Sequence, residues 1–326
     1  MQRPRHIVGI SADREAALAA APDFGRYLWT VVPYSESDDE WLGQLVNCIL
    51  YIRDAAVSGQ QSDFGVDVVI ICALDEPELT EVLRLPWNFQ PARPLDDVTF
   101  VHEGSFICAS KERSVAAIAA PRMGMVSAGL TTMRAIERLR PRLVMMTGIC
   151  AGVEKQANLG DVIFIDACWD WQSGKYLQEK DKEPSFSIAP HQLGPSAAAI
   201  AHAEQIRADR MALAAISVNG PDEAPGVLKL IIGPVASGSA VIADEAVVTE
   251  IKSQNRKVCG IEMEAYGVFA AVKNCSGPHP EVVVLKSVCD FADPHKDNKV
   301  QRYAAYASAR VSQLLVERYF DRIAAN

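Results

Sequence analysis

The stretch VDVVIICAL, residues 66–74, decides the fold class of this chain. Apart from Asp67 it is wholly apolar, and most of its residues are Val or Ile. An apolar run of this length, rich in β-branched residues, is typical of a strand that is buried on both faces. Such strands occur in the central parallel sheet of α/β proteins, so the run predicts a fold of that class.

Further runs of the same kind follow along the chain, and helical patterns separate several of them. The strand-like runs are SVAAIAAP (114–121), LVMMTGIC (143–150), DVIFIDACW (161–169), LKLIIGPVAS (228–237) and EVVVLKSVCD (281–290). The helical patterns are MVSAGLTTMRAIERLR (125–140), PSAAAIAHAEQIRAD (195–209), EAVVTEIKSQN (245–255), AYGVFAAVKN (265–274) and a long C-terminal stretch over 298–323. This alternation predicts a three-layer α/β sandwich around a mostly parallel sheet.

The first 60 residues are predicted to form a separate small α/β segment. The polar stretch VSGQQSDFG (57–65) is the best linker candidate, so the expected domains are 1–60 and 61–326. Within the first, HIVGIS (6–11) and RYLWTVVPY (26–34) predict strands, DREAALAAA (13–21) predicts a helix, and residues 35–56 predict an amphipathic helix.

The composition is that of an acidic globular chain, with a formal net charge of -9 and a pI of about 5.3. Without a long Lys/Arg cluster, the chain is not expected to bind nucleic acid or a membrane surface. It has neither a signal-peptide core nor a run of ~18 apolar residues, so we expect a cytoplasmic location. The eight cysteines lack C-x-x-C spacing and are interpreted as free thiols. The histidines form no zinc pattern, and no metal or cofactor is expected.

Acidic residues follow the first and last predicted strands, where ligands lie in sheets of this kind. Asp75, Glu76 and Glu78 are either helix N-terminal acids favoured by the helix dipole or include a base that activates water. Asp290 has apolar neighbours, and partial desolvation would favour its protonated form and allow general acid catalysis. A simple turn residue is the alternative. The glycine turns RMGMVSAG (122–129) and TGICAGV (147–153) either approach a ligand closely or only turn the chain.

Two glutamates stand at the head of the otherwise apolar stretch GIEMEAYGVFAAV (260–272). Carboxylates are rarely buried without a partner. Glu262 and Glu264 therefore either begin a surface helix, or a ligand holds one of them inside. The helical run after them is short and Ala-rich, which favours close packing against the sheet and places both acids at a strand-to-helix junction.

The order of the motifs is more specific than any one of them. ALDEPEL (73–79), MGMVSAG (123–129), TGICAGV (147–153), LGDVIFID (159–166), GPVASGSAVIAD (233–244), GIEMEAYGV (260–268) and LKSVCDFAD (285–293) follow one another as in the nucleoside phosphorylase superfamily. Over residues 66–323 the chain resembles its nucleosidase branch, the methylthioadenosine/S-adenosylhomocysteine nucleosidases and AMP nucleosidase-like proteins. The resemblance implies a mixed, mostly parallel sheet and cleavage of the N-ribosidic bond of a purine nucleoside or nucleotide.

The resemblance also implies residue roles. Glu264 is expected to bind the 2′- and 3′-hydroxyls of the ribose, with Met263 packed on the sugar and Glu262 as a weaker candidate in the same loop. Asp290 is expected to protonate or hydrogen-bond N7 of the purine. Ribosyl–purine cleavage passes through an oxocarbenium-like sugar, which requires a general acid, a placed nucleophile and nearby negative charge. These carboxylates meet that requirement.

Two departures from the family pattern leave alternatives open. Pro77 stands where the family has the glutamate that activates water. A one-residue insertion would make Glu78 that base, with Glu76 as the alternative.

Val241 stands where the methylthioadenosine nucleosidases have a phenylalanine stacked on adenine. Phe291, Trp169 or Trp171 is then expected to supply the stacking, while the backbone at Val241 and Ile242 meets the edge of the base. The two glycine turns contribute further binding candidates, which are Met123 and Gly152.

Hydrolysis is favoured over phosphorolysis because the first loop is acidic and repels phosphate, whereas a phosphorylase needs Arg and Gly-rich donors there. Arg122 keeps a purine nucleoside phosphorylase as the alternative. Together with Lys286, Lys296 or Lys299, it is also a candidate for binding a substrate 5′-phosphate, which adds AMP and ATP to methylthioadenosine-like substrates. A non-catalytic nucleotide sensor is the third hypothesis.

Residues 6–60 resemble, less specifically, the second half of a response-regulator receiver domain. Ser11 takes the place of the strand-end Ser/Thr, Val32 replaces the lysine before proline, and the phospho-acceptor strand is absent. The resemblance implies a degenerate, unphosphorylated partial receiver that serves a signalling partner or homo-oligomer contacts, with a dimer favoured. By analogy with such fusions, it suggests bacterial signalling or phage defence through nucleotide depletion.

Overall fold

The computed structural model describes residues 5–13, 15, 27–60, 64–178, 185–292 and 300–324. The contacts within the chain divide it into two compact units, Met1–Asp63 and Phe64–Asn326. Of the helices in the described ranges, none combines the length and the apolar character needed to cross a membrane.

The first unit contains a parallel strand pair and a long helix. β1 (Arg5–Ser11) pairs with β2 (Tyr27–Pro33), and α1 (Glu40–Gln60) follows. The helix continues into the predicted linker, so residues 57–60 are helical. A single glycine in a helix costs only about 1 kcal/mol and does not by itself end it. Most of the predicted helix over 13–21 lies outside the described residues.

The second unit is built on one large sheet. Its strands are β3 (Val66–Cys72), β4 (Arg93–Pro94), β5 (Phe100–Cys108), β6 (Lys111–Ala119), β7 (Pro141–Gly152), β8 (Val162–Asp170), β9 (Gly174–Leu177), β10 (Ser185–Ile188), β11 (Leu230–Ser237), β12 (Gly260–Glu262) and β13 (Glu281–Asp290). β9 and β10 form a separate antiparallel pair, and the others form one sheet in the order β12-β11-β8-β13-β7-β3-β6-β5-β4.

The sheet is mixed and its core is parallel, which confirms the predicted fold class. β3 runs parallel to β6 and β7, β7 to β13, and β11 to β8 and β12, while β13 and β8 are antiparallel. β12 also pairs with the end of β7, with Ile261 opposite Ala151. The five strands β7, β13, β8, β11 and β12 therefore close into a ring, which brings the end of β7 beside the segment that carries Glu262 and Glu264.

Helices cover both faces of the sheet. They are α2 (Thr80–Leu83), α3 (Met125–Leu139), α4 (Ala197–Ala208), α5 (Arg210–Val218), α6 (Glu245–Gln254), α7 (Ala265–Asn274) and α8 (Gln301–Ile323). The side chains of β3 alternate between two cores, as the pleat requires. Val69 and Ile71 face the core that contains α3 and α7, whereas Val68 and Ile70 face the core that contains α4 and α8. The result is the expected three-layer sandwich.

Candidate active site

A pocket in the second unit collects most of the predicted site residues. Its cavity is about 170 Å³, several times the ~30 Å³ that one water molecule occupies, so it has room for a larger ligand. The acidic side chains that line it are those of Glu78, Glu262, Glu264 and Asp290. The other lining residues are Ala73, Leu74, Met123, Ile149, Cys150, Ala151, Ala240, Val241, Ile242, Ile261, Met263, Cys289, Ala292 and Gln301.

The turn after β3 separates the two candidate bases. The Leu79 N–H donates to the Leu74 carbonyl at 3.0 Å, which closes a turn over Asp75–Leu79 with one more residue than an α-helical turn has. Within this turn the backbone of Glu76 is extended, with φ -117° and ψ 130°. Glu78 is 2% exposed and reaches the pocket. Glu76 is exposed and lies outside it, where its carboxylate accepts a hydrogen bond from the Thr80 hydroxyl at 2.7 Å.

Backbone donors from two strand ends hold the Glu78 carboxylate. Its Oε2 accepts from the N–H groups of Ala73 at 2.7 Å and Leu74 at 3.1 Å, and its Oε1 accepts from the Ile149 N–H at 2.8 Å. A Cβ atom at Gly148 would overlap this carboxylate. Gly148, the first glycine of TGICAG, therefore makes room for Glu78, a role that the amino-acid sequence alone does not indicate.

Glu264, immediately before α7, joins the glycine turn RMGMVSAG to the pocket. Its Oε1 accepts from the Gly124 N–H at 2.9 Å, and its Oε2 accepts from Lys286 Nζ at 3.0 Å. Gly124 has φ +111°, a conformation that disfavours other residues. The Gly124 N–H in RMGMVSAG thus binds a carboxylate of the chain itself.

Glu262 has a different set of partners. Its Oε2 accepts from the N–H groups of Glu264 and Ala265, both at 2.8 Å, and its Oε1 accepts from the Ser237 hydroxyl. A carboxylate on the first N–H groups of a helix satisfies donors that have no intrahelical partner. Glu262 therefore fixes the start of α7 and, through it, the backbone that carries Glu264.

Lys286 lies among the three glutamates rather than on the pocket wall. Its side chain is fully buried, and Nζ is 3.0 Å from Glu264 Oε2, 3.6 Å from Glu262 Oε2 and 4.0 Å from Glu78 Oε1. Burial alone would lower the pKa of this lysine, but the attraction of Glu264, Glu78 and Glu262 outweighs it and raises the pKa. Because its charge is already occupied by carboxylates, Lys286 is poorly placed for the predicted contact with a substrate phosphate.

The cluster carries more acidic than basic groups. Burial raises the pKa of Glu78, with Lys286 acting in the opposite direction. Burial likewise raises the pKa of Glu262, again opposed by Lys286. One ammonium cannot compensate three buried carboxylates, so the site favours proton uptake or a positively charged ligand.

Asp290 reaches the pocket at the end of β13. The register between β13 and β7 shifts between Val288 and Asp290, and a bulge of this kind re-aims the following side chain. Asp290 Oδ1 accepts from the Ala292 N–H at 2.8 Å, and the Cys289 thiol donates to Oδ2 at 3.5 Å. The carboxyl group is thus oriented by its own loop at the wall of the pocket.

The remaining predicted residues divide between the pocket and its surroundings. Met123, Met263, Val241 and Ile242 line it. Arg122 is exposed and does not line the pocket. Gly152 and Phe291 lie next to each other outside the pocket lining, and Trp169 and Trp171 belong to a separate core cluster. None of the described lining residues is aromatic. Lys296 and Lys299 lie outside the described residues.

A family model described as the phosphorylase superfamily matches residues 67–321. The chain belongs to the phosphorylase superfamily. The resemblance seen in the ordered motifs is thereby confirmed, and the matched region coincides with the unit that contains the pocket.

Relatives within the superfamily include proteins named as nucleosidases. An uncharacterised protein of Sinorhizobium fredii is 31% identical over 332 residues, with 99% of this chain and 80% of the relative covered. The ATP nucleosidase Cap17 of Escherichia coli is 27% identical, and the alignment covers 58% of this chain and 38% of Cap17. The chain thus spans only about two fifths of the length of Cap17.

Two further similarities concern a nucleosidase and a solved hydrolase structure. The 5'-methylthioadenosine/S-adenosylhomocysteine nucleosidase of Haemophilus influenzae is 24% identical, with 62% of this chain and 79% of the relative covered. The solved structure of futalosine hydrolase from Helicobacter pylori superimposes with a TM-score of 0.61 and 19% identity, covering 78% of this chain and 98% of that one. At this identity the structural similarity establishes the fold alone.

Proposed function

We propose that the chain hydrolyses the N-ribosidic bond of an adenine-type nucleoside or nucleotide and releases the free base and ribose or phosphoribose. The observation that carries this proposal is the convergence of Glu78, Glu264 and Asp290 on one pocket, with Lys286 buried behind the glutamates. Relatives named ATP nucleosidase and methylthioadenosine/S-adenosylhomocysteine nucleosidase support the choice of an adenine-type substrate.

In the proposed reaction, Asp290 delivers a proton or hydrogen bond to N7 of the purine, so that the base leaves with its electron pair neutralised. Glu264 binds the ribose diol through the acceptor capacity that remains after its bonds to Gly124 and Lys286. Met263, also on the pocket wall, packs on the sugar. These groups hold the substrate so that bond cleavage develops positive charge on the ribose close to the carboxylates.

Glu78 is the proposed base that takes a proton from the attacking water. Its two oxygens are fixed by three backbone N–H groups, so it is held in place while each oxygen keeps acceptor capacity for water. Burial raises its pKa, which makes the carboxylate a stronger base than an exposed glutamate. Glu76 is the less suitable candidate because it lies outside the pocket.

Water is the proposed nucleophile because the interior of the pocket is anionic. Three buried carboxylates share one ammonium, and an incoming phosphate dianion would meet like charge at short range. The same charges stabilise an oxocarbenium-like sugar, and this difference favours a hydrolase over a phosphorylase.

The direct test is incubation of the full chain with adenosine, methylthioadenosine, AMP and ATP, each with and without inorganic phosphate, followed by chromatography. Release of adenine without phosphate, together with the sugar that keeps the 5′ group of the substrate (ribose, 5-methylthioribose, ribose 5′-phosphate or ribose 5′-triphosphate), is the expected result. Adenine that appears only when phosphate is present would identify a phosphorylase. Binding of these compounds without release of base would identify a sensor.

We further propose a homodimer that involves the start of α3. Val126 and Leu130 are exposed four residues apart and so lie on one side of this helix, and Met123, which precedes the helix, is exposed and also lines the pocket. An exposed apolar stripe marks an interaction surface, and a second copy seated there would lie beside the pocket.

For the first unit we propose a docking role rather than phosphotransfer, in keeping with its resemblance to part of a receiver. Leu42, Val46 and Ile49 are exposed at helical spacing on α1, which supports a surface that binds a signalling partner or another copy. A truncated chain that begins at residue 64 is expected to retain nucleosidase activity and to lose its association with the signalling partner or with another copy.

A further inference from the structure

A second pocket adjoins the first. It is lined by Glu76, Pro77, Glu81, Arg84, Gln301 and Arg302. Gln301, the first residue of α8, lines both pockets. A ligand that lies against Gln301 in the first pocket is therefore close to the neighbouring pocket, whose lining includes two arginines.

The two arginines share one buried carboxylate. Glu81 Oε1 pairs with Arg84 Nη1 and lies 3.4 Å from Arg302 Nε. The Glu81 side chain is 3% exposed, whereas each arginine side chain is 51% exposed. Glu81 thus holds both guanidinium groups from the interior side while leaving them open to solvent.

Donors remain on both guanidinium groups after these contacts. Each guanidinium has five N–H donors in a fixed fork, an arrangement that matches phosphate oxygens. Arg84 directs Nη1 and Arg302 directs Nε at Glu81, and Arg302 Nη1 is 3.7 Å from Asp222 Oδ1. The other acid that lines this pocket is Glu76, whose carboxylate accepts a hydrogen bond from the Thr80 hydroxyl.

We propose that Arg84 and Arg302 bind the 5′-phosphate of a nucleotide whose ribose occupies the first pocket. The inference rests on the proposed function and names its substrate class: nucleoside 5′-phosphates are preferred to nucleosides. One methylene group and one ester oxygen join the phosphorus atom to the ribose ring, so the phosphate stays close to the ribose, and repulsion by the buried carboxylates favours a position directed away from them. Gln301 lies on the side of the first pocket that is next to Arg84 and Arg302.

The experiment measures binding separately from turnover. Adenosine and AMP are titrated calorimetrically into full-length Asp290→Asn, which is expected to bind without cleaving, and into the same chain carrying Arg302→Gln or Arg84→Gln. Asp290→Asn should bind AMP at least about tenfold more tightly than adenosine. Either arginine substitution should weaken AMP binding by about 10- to 100-fold, the range for one charge-assisted hydrogen-bonded contact. Adenosine binding should change less than about twofold.

Arg207→Gln is the matched control, because Arg207 is also 51% exposed and pairs with an acid three residues away, Glu204. It should leave AMP binding unchanged. A single arginine substitution leaves the other arginine beside buried Glu81. If Arg302→Gln nevertheless melts early, the titration is repeated with Glu81→Gln added, which removes the uncompensated charge.

Equal affinities for AMP and adenosine in the Asp290→Asn chain, or equal losses in Arg302→Gln and Arg207→Gln, would overturn the subsite. Adenine release by the unmodified chain is assayed in parallel. Release from adenosine without any AMP preference would retain the nucleosidase and reject the subsite. An AMP preference that Arg302→Gln abolishes, in a chain that releases no adenine, would retain the subsite and reject hydrolysis.

Discussion

Replacement of Lys286 by methionine is the most informative single change in the buried cluster. The substitution keeps an unbranched apolar stem of similar length and removes only the ammonium group. That group lies within 4.0 Å of all three glutamate carboxylates and is fully buried. Its removal should therefore leave Glu78, Glu262 and Glu264 without a compensating charge.

The size of the effect follows from these distances. At an effective dielectric constant of about 20, each ammonium–carboxylate pair at 3.0–4.0 Å has a gross attraction of about 4 to 6 kcal/mol. The cost of burying the ions offsets much of this. Loss of one partner of a buried ion pair costs about 3–5 kcal/mol, so we expect the free energy of unfolding to fall by about that amount near pH 8.

The loss should shrink as the pH is lowered. Without Lys286, the folded-state pKa of Glu78 and of Glu262 must rise further above its ordinary value of 4.5. The folded variant then binds more protons than the unfolded chain, so its stability decreases as pH rises. Below the unfolded value both states are protonated and the penalty disappears. The ammonium, whose pKa is raised, stays charged in the wild type throughout this range.

Urea unfolding of Lys286→Met and wild type at about pH 8 and pH 5.5 measures both effects. Lys273→Met on the exposed side of α7 is the control for removal of one lysine charge, and it should change stability by less than about 0.5 kcal/mol. A Lys286→Met chain within about 1 kcal/mol of wild type at pH 8 would refute the reasoning, as would a loss that is independent of pH.

Four further outcomes follow from the site and the surface beside it. Asp290→Asn should lower kcat by about 100-fold or more without lowering the melting temperature, because an amide is not a general acid; adenine chromatography and a thermal melt measure the two. Glu264→Gln should remove most of the preference for adenosine over 2′-deoxyadenosine, and an unchanged ratio of the two kcat/KM values would assign the hydroxyl contact elsewhere. Burial raises the pKa of Glu78, which must be ionised to act as a base, so kcat/KM should fall as pH drops through that raised pKa; an acid limb that persists in Glu78→Gln would contradict its role. Val126→Asp should convert a dimer to a monomer in light scattering, whereas Val218→Asp, at a similarly exposed valine of α5, should not.

The strands that carry the site were predictable because they are buried on both faces. The run over 66–74 is apolar apart from Asp67, the run over 281–290 opens with four consecutive apolar residues after Glu281, and both form strands of the central sheet. β5 was missed because its sequence FVHEGSFIC mixes polar and apolar residues at the antiparallel edge. The sequence predicts a strand-to-helix junction at Glu262 and Glu264 but not the bounds of β12, because this strand has only three residues and its conformation depends on pairing with β11 and β7.

Within the site, the sequence pointed to the residues that reach the pocket but not to the way in which they are held there. Glu264 was singled out by its motif, yet its contact with Gly124 spans 140 positions along the chain. The sequence predicts a contact between Lys286 and a substrate phosphate because it indicates the strand that carries this lysine but not the three carboxylates that surround it. Arg84 and Arg302 carry no signal in the sequence, because Glu81 is close to Arg84 along the chain but meets Arg302 only when α2 and α8 pack together.

One lysine among three glutamates balances two opposing requirements of the proposed reaction. With no cation, burial would shift carboxylates further toward the protonated form, which neither activates water nor stabilises a cationic sugar. With a cation for each, the site would be neutral, and the developing positive charge would gain little from it. Lys286 contacts all three acids at unequal distances, closest to Glu264 and farthest from Glu78. The closest compensation thus falls on Glu264, the carboxylate proposed to bind the diol.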